Sequence, residues 1–190
     1  GLHNAMASSR SAVTINGQQY GVPYAYYQWG FYYRKDIFAK HGLSAPRTWS
    51  DFVQVCKILK QKGVAPITIG TKYLWTAAAW FDYLNIRING LPFHMELMDG
   101  KASYTDPKVK AVFAKWRELI DPAYYIDNHT SYSWQEAAAF LYQGQAAMYL
   151  MGNFMVPGFP ADVADKIDFF PFPTVKAGVP AYEEDPTDML

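Results

Sequence analysis

Apolar and polar residues recur along this chain with two different periods, which predict helices alternating with short strands. The clearest helical repeat places apolar residues of the segment 52–59 three and four positions apart on one face. Thr48 precedes this repeat as an N-cap and Gly63 follows it as a stop signal, so we predict a helix over 49–62. The mostly apolar segment 65–69 and the uninterrupted apolar run 146–151 predict short buried strands.

Turn and cap residues extend this pattern over the rest of the chain. Asn16-Gly17 lies between two short extended segments and predicts a tight hairpin, because this pair accepts the positive φ angles of a type I′ turn. Interleaved helices and strands are typical of the α/β class, here rich in helix and with short strands. Further helices are predicted over 73–84, from Pro107 onward, and from the capping box at 133–136 to Gly144.

The segment 20–33 concentrates eight aromatic rings in fourteen positions and contains no charged residue. We predict one extended strand here, with Tyr27, Trp29 and Phe31 on the same face. A soluble chain gains nothing by exposing so many rings, so they either fill a core or present a surface to a flat ligand. Both alternatives stay open for any single ring. As a group, the rings favour a ligand surface, because rings stack on the C–H faces of sugars.

Composition excludes several classes of partner. The 190-residue chain has a formal net charge of zero and no run of basic residues, so we predict no nucleic-acid partner, because that affinity is mostly electrostatic. No stretch reaches the roughly 18 to 20 apolar residues that span a bilayer, so we predict no membrane insertion. Cys56 is the only cysteine, which excludes an intramolecular disulfide and a cysteine metal cluster.

The residue types that carry catalysis do not form a recognisable constellation. The four histidines are scattered without metal-ligand spacing, and no nucleophile elbow or phosphate loop is present. Asp82 and Glu96 lie near aromatic residues, and a glycosidase needs two carboxylates that face a sugar. We expect Asp82 on a solvated helix face and Glu96 in a loop, so we predict no catalytic residue, no metal site and no cofactor.

Five segments carry motifs in a fixed order: residues 16–24, 30–43, 46–52, 136–154 and 171–173. Together they resemble the extracellular solute-binding proteins of ABC transporters, and most closely the carbohydrate-binding, maltose-binding-protein-like class. Each motif is weak by itself, whereas the ordered set is specific.

The resemblance implies a periplasmic-binding-protein-like fold of type II, with two lobes joined by crossing strands. Family members are about twice as long as this chain, which would therefore supply mainly the second lobe. We expect residues 1–24 to end the first lobe and form a hinge hairpin, 25–168 to form the second, ligand-binding lobe, and 169–190 to cross back.

The resemblance also implies where the ligand contacts lie. The crossing strand and the turns that follow two buried strands deliver these contacts in the family. The matching residues here are Tyr27, Gln28, Trp29, Tyr73, Trp75, Asn153 and Phe154. The maltose-binding relative has Trp where this chain has Phe154 and an acidic residue where it has Tyr27, so a saccharide other than maltose is expected.

The expected function is the substrate-binding component of a bacterial ABC importer, which captures a sugar or oligosaccharide between two lobes and delivers it to a membrane permease. This implies a periplasmic or extracellular location, with or without a lipid anchor. A fragment of a carbohydrate-active enzyme is one alternative. A receptor for a non-sugar solute such as a polyamine is another, and it would need an acidic cage among the rings, whereas the aromatic segment contains no acid.

Overall fold

A computed structural model describes residues 9–183 and 187–189 of the chain. The expected segments 1–24 and 169–190 are therefore described only in part, because residues 1–8, 184–186 and 190 lie outside the described residues. The strands are β1 (Thr14–Ile15), β2 (Gln18–Gln19), β3 (Pro23–Tyr26), β4 (Trp29–Arg34), β5 (Ala65–Thr68), β6 (Ala146–Gly152), β7 (Ile167–Phe170) and β8 (Thr187–Met189). The helices are α1 (Lys35–Lys40), α2 (Trp49–Gln61), α3 (Trp75–Met98), α4 (Pro107–Ile120) and α5 (Trp134–Tyr142).

A central four-stranded sheet has the order β5-β6-β4-β7. β5 pairs with β6 in parallel, whereas β4 runs antiparallel to both of its neighbours. Trp29 at the start of β4 is paired with Gly152 at the end of β6. The ends of β5 and β6 and the start of β4 therefore meet at one edge of the sheet.

Side chains cover both faces of β4. On one face, the Phe31 ring contacts Phe52 of α2 at 4.9 Å and Trp80 of α3 at 5.5 Å between centroids. On the other face, Tyr32 contacts Phe159 at 5.7 Å, and this burial raises the pKa of the Tyr32 hydroxyl to about 12. All residues of β6 are buried as well, which confirms the buried strand predicted at 146–151.

Local signals in the sequence are confirmed where they mark turns and helix ends. The Thr48 hydroxyl accepts a hydrogen bond from the Asp51 amide at 3.2 Å and starts α2. Ser133 and Glu136 exchange both bonds of a capping box at the start of α5. Asn16 and Gly17 have φ angles of 52° and 79° between β1 and β2, as the predicted hairpin turn requires.

The prediction of a single aromatic strand is wrong. The segment forms two strands, β3 and β4, which are separated at Tyr27 and Gln28. β3 pairs with β8 in a ladder apart from the central sheet, whereas β4 pairs with β6 and β7. The chain breaks between them because its two halves belong to different ladders.

The helix predicted over 73–84 begins two residues later and is much longer. α3 runs from Trp75 to Met98, across a kink at Gly90 where φ is 82°. Pro92 follows the kink, in the first turn of the second segment, where a missing amide hydrogen is tolerated. Glu96, which we expected in a loop, lies in this extension and is exposed.

The segment after β7 is attached to α3 and α2. Arg87 of α3 is 1% exposed, forms a 2.7 Å ion pair with Glu183, and donates hydrogen bonds to the carbonyl of Phe172. Backbone bonds join Thr174 to Trp49 and Arg47 at 2.8 and 3.0 Å. Among the described residues, no helix is long and apolar enough to cross a membrane.

Candidate functional site

A cavity of about 570 Å³ opens at the sheet edge where β5 and β6 end and β4 begins. We call it the ring cavity. It is lined by four aromatic and two acidic side chains, together with small alanines. The aromatic and acidic residues are Tyr27, Trp29, Trp75, Phe154, Asp82 and Asp188.

The four rings of the ring cavity pack mostly edge to face. Trp29 contacts Trp75 at 5.8 Å and Phe154 at 6.0 Å between centroids, with interplanar angles of 84° and 79°. Tyr27 contacts Phe154 at 5.1 Å and 86°. Trp75 remains 39% exposed and Phe154 36% exposed, so aromatic surface is available to a ligand.

The two residues that precede Phe154 in the chain, Gly152 and Asn153, determine the position of its ring. The amide of Asn153 donates a 2.9 Å hydrogen bond to the carbonyl of Gln28, which continues the pairing of β6 with β4. A Cβ atom at Gly152 would lie only 2.7 Å from Cδ1 of Phe154. Gly152 therefore allows the ring to fold back over the end of β6, a role that the sequence analysis did not assign to this glycine.

Helix α3 contributes a stripe of side chains to the ring cavity. Trp75, Ala78, Ala79 and Asp82 follow the spacing i, i+3, i+4 and i+7, which places them on one helix face. The first turn of this helix is fixed by Thr76, whose hydroxyl donates a 2.6 Å hydrogen bond to the buried carbonyl of Gly70.

Asp82 departs from the expectation that it would lie on a solvated helix face. It is only half-buried, yet it lines the ring cavity between α3 and the aromatic cluster. Burial raises the pKa of the Asp82 carboxyl, and the nearby His94 imidazole opposes part of this rise. The seven-residue spacing already places Asp82 on the same helix face as Trp75. The sequence alone did not show that this face lines a cavity.

Asp188 is the second acidic residue of the ring cavity. The sequence analysis did not single it out. It accepts a 2.9 Å hydrogen bond from the Tyr27 hydroxyl across the ring cavity. The pKa of Tyr27 is raised by desolvation and, secondarily, by this hydrogen bond and the negative charge of Asp188. Asp188 therefore orients the Tyr27 hydroxyl as a donor toward β8.

Trp29 is 4% exposed and joins the ring cavity to the core. Its carbonyl accepts a 2.9 Å hydrogen bond from the hydroxyl of Tyr83. Its indole Nε1 is buried, and no described residue accepts a hydrogen bond from it. A buried donor without a protein acceptor is uncommon, and such groups are often satisfied by a molecule bound nearby.

The structure thus brings together four of the seven residues implied as ligand contacts: Tyr27, Trp29, Trp75 and Phe154. Gln28 and Asn153 are exposed beside them and are linked through the backbone. Tyr73 is 58% exposed and does not line the ring cavity, because it precedes the first residue of α3. Roles in ligand binding remain predictions for all seven.

A second cavity, of about 520 Å³, is formed by other residues of the α3 N-terminus and by α4. Its lining is mostly apolar and includes Trp116, whose indole donates a 2.8 Å hydrogen bond to Tyr125. Two polar side chains of this lining contact each other: Oγ1 of Thr71 lies 2.8 Å from Nδ1 of His129. Within the described part of the chain, no three His, Cys, Asp or Glu residues are grouped so that they could hold a metal ion.

Comparison with known proteins identifies relatives along nearly the whole chain. An ABC transporter extracellular-binding protein of Pyrococcus horikoshii, itself uncharacterized, is 31% identical and aligns with 94% of this chain and 44% of its own length. The solved structure of the bacterial solute receptor AcbH, described as exclusively preferring β-D-galactopyranose, has a TM-score of 0.84 at 32% identity and covers 99% of this chain and 49% of the receptor. A chitin oligosaccharide binding protein has a TM-score of 0.83 at 26% identity, over 93% of this chain and 46% of its own.

The chain therefore spans about half the length of the relatives it matches. The structural neighbours have the type II periplasmic solute-binding fold, which confirms the fold class and the resemblance described above. The family described as bacterial extracellular solute-binding protein matches residues 4–189. The chain belongs to this family, whose members are binding proteins and not enzymes.

Proposed function

We propose that this protein binds a sugar or oligosaccharide in the ring cavity and acts as the substrate-binding component of an ABC importer. The observation that carries this proposal is the convergence of Tyr27, Trp29, Trp75 and Phe154 from three separate segments at one sheet edge. Ligands of open α/β sheets are typically bound at such edges, where strands end.

The chemistry of the ring cavity suits a saccharide. The partly exposed rings of Trp75 and Phe154 offer aromatic faces to the C–H face of a pyranose. Carboxylates at Asp82 and Asp188 offer acceptors to its hydroxyl groups. The two solved neighbours, one described as binding β-D-galactopyranose and the other chitin oligosaccharide, support the same class of ligand.

The proposed mechanism is a conformational one. Residues 25–168 form the ligand-binding lobe, and 1–24 and 169–190 lead to the other lobe. A bound saccharide stabilises the state in which the two lobes are closed around it, and a membrane permease recognises that state. The protein acts outside the cytoplasmic membrane, in the periplasm or at the cell surface, with or without a lipid anchor.

A cationic solute such as a polyamine is the second candidate. Two carboxylates, Asp82 and Asp188, lie among the four rings of the ring cavity. Aromatic faces combined with negative charge are the usual receptor for an ammonium group. The aromatic segment by itself contains no acid, so this candidate depends on residues that the fold brings in from α3 and β8.

A thermal-shift screen of the full-length protein distinguishes the two. The ligands are D-galactose, D-glucose, N,N′-diacetylchitobiose, maltose, spermidine and putrescine. A ligand at 100 times its Kd adds about 2.7 kcal/mol to the free energy of unfolding, which gives a clear shift in Tm. Stabilisation by saccharides supports the proposal. Stabilisation by polyamines alone contradicts it and favours the second candidate.

A further inference from the structure

We propose that Asp82 is a specificity-determining residue of the ring cavity, whose carboxylate accepts hydrogen bonds from adjacent hydroxyls of a saccharide and excludes anionic saccharides. This inference rests on the proposed function, because it assumes that a saccharide occupies the ring cavity. It adds the substrate class: neutral or amino sugars, and not uronic acids or sulfated sugars.

The position of Asp82 on α3 is the first argument. Trp75 and Asp82 lie two turns apart on one helix face, about 10 Å along the helix axis. Ala78 and Ala79 lie between them and also line the ring cavity. Their methyl groups leave space above the helix, so a ligand that stacks on Trp75 extends over the alanines toward the Asp82 carboxylate.

The absence of a protein partner is the second argument. Among the described residues, no donor lies within hydrogen-bonding distance of the Asp82 carboxylate, and its one electrostatic neighbour is His94. The His94 ring is itself engaged, at 3.3 Å from the Asn85 amide. Even partial removal of a carboxylate from water is costly when no protein group donates to it. A ligand with adjacent hydroxyl groups supplies the missing donors.

The charge of the lining is the third argument. Asp82 and Asp188 are its charged residues, and no Lys, Arg or His of the described chain contributes to the ring cavity. Asp188 already accepts a hydrogen bond from Tyr27, which leaves Asp82 as the acceptor without a protein donor. A ligand carboxylate or sulfate near these residues is repelled and finds no cation to pair with, whereas a hydroxyl donor is attracted.

The test compares matched neutral and anionic sugars on the full-length protein by isothermal titration calorimetry at pH 7.5. The pairs are D-galactose with D-galacturonate and D-glucose with D-glucuronate, which differ at carbon 6 alone. The wild-type protein is expected to bind the neutral member of a pair at least about tenfold more tightly, as for one charge-assisted hydrogen bond. Asp82→Asn is expected to weaken the neutral sugar about tenfold to a hundredfold and to narrow the gap to the uronate.

Asp162→Asn is the matched control, because Asp162 is exposed and lies outside the ring cavity. It should leave both affinities unchanged. The Tm of each variant is measured in parallel, and Asp82→Asn should be at least as stable as the wild type, since the amide removes a desolvated charge. A purely structural role of Asp82 would lower the Tm and leave the neutral-to-uronate ratio unchanged.

The outcomes separate this inference from the proposed function. If saccharides bind and Asp82→Asn leaves the neutral-to-uronate ratio unchanged, this inference is overturned while the proposed function stands. Tighter binding of a uronate by the wild type overturns it as well. If no saccharide of either charge binds, the proposed function fails and this inference fails with it.

Discussion

Replacing Trp75 by alanine tests the ring cavity most directly. Trp75 is 39% exposed at the start of α3, and its ring contacts Trp29 and Phe154. The variant removes the largest aromatic surface that a ligand in the ring cavity can reach. We therefore expect a large loss of saccharide affinity and a loss of stability that can be measured separately.

Both magnitudes follow from these contacts. Truncating a buried aromatic anchor at a binding site costs about 2 kcal/mol or more, which corresponds to a roughly 30-fold increase in Kd. The two ring contacts, at 5.8 Å with Trp29 and 6.3 Å with Phe154, are worth about 0.5 to 1.5 kcal/mol each. The free energy of unfolding should therefore fall by about 1 to 3 kcal/mol.

Calorimetry and denaturant unfolding measure the two effects separately. The full-length protein is titrated with the tightest neutral saccharide of the thermal-shift screen. Trp75→Phe keeps a ring at the same place and should lose less than about tenfold in affinity. Tyr104→Ala is the control, because Tyr104 is an exposed aromatic residue that packs on Phe81, outside the ring cavity.

The reasoning is refuted if folded Trp75→Ala binds the saccharide as tightly as the wild type. It is also refuted if Trp75→Ala and Tyr104→Ala lose the same affinity, since the effect would then not be specific to the ring cavity.

Three further predictions concern single positions. Gly152→Ala should lower saccharide affinity about tenfold, because its Cβ would clash with the Phe154 ring, at 2.7 Å from Cδ1; unchanged calorimetric affinity would contradict this. Saccharide affinity should fall on acidification at a pH above the usual range of an aspartate, because burial raises the pKa of Asp82 and protonation removes its charge; a titration series in which Asp82→Asn keeps the same pH profile would contradict it. The effect of acidification on stability is opposite: because the pKa of Asp82 is raised in the folded state, protonation of this residue increases the free energy of unfolding. Thr48→Ala should lower the free energy of unfolding by about 1 kcal/mol in urea without changing affinity, because α2 does not line the ring cavity; weaker binding would count against that placement.

Features that depend on a few neighbouring residues could be predicted from the sequence. Thr48 bonds to an amide three residues away, and Ser133 and Glu136 bond to each other's backbone over the same distance. The turn at Asn16-Gly17 needs only the left-handed conformations of its two residues. In each case, the chemistry that determines the structure lies within a few positions of the residue.

Features that depend on residues far away in the sequence could not be predicted. The break at Tyr27 exists because β3 pairs with β8 and β4 with β6, and nothing within the aromatic segment encodes those partners. Tyr73 precedes the first turn of α3, which starts at Trp75, and does not line the ring cavity. Asp82 shares a face of α3 with Trp75 by its spacing, but that this face lines the ring cavity became known only with the tertiary structure.

The hydrogen bond between Tyr27 and Asp188 joins positions 161 residues apart, and this separation has a consequence for folding. Contacts so distant in sequence form late, because the chain must first lose the entropy of closing a long loop. β3, which pairs with β8, then stays unpaired in partly folded chains, where unpaired strand edges promote aggregation. A saccharide that binds only the completed cavity stabilises the native state by mass action. Ligand present during refolding should therefore raise the yield of folded protein.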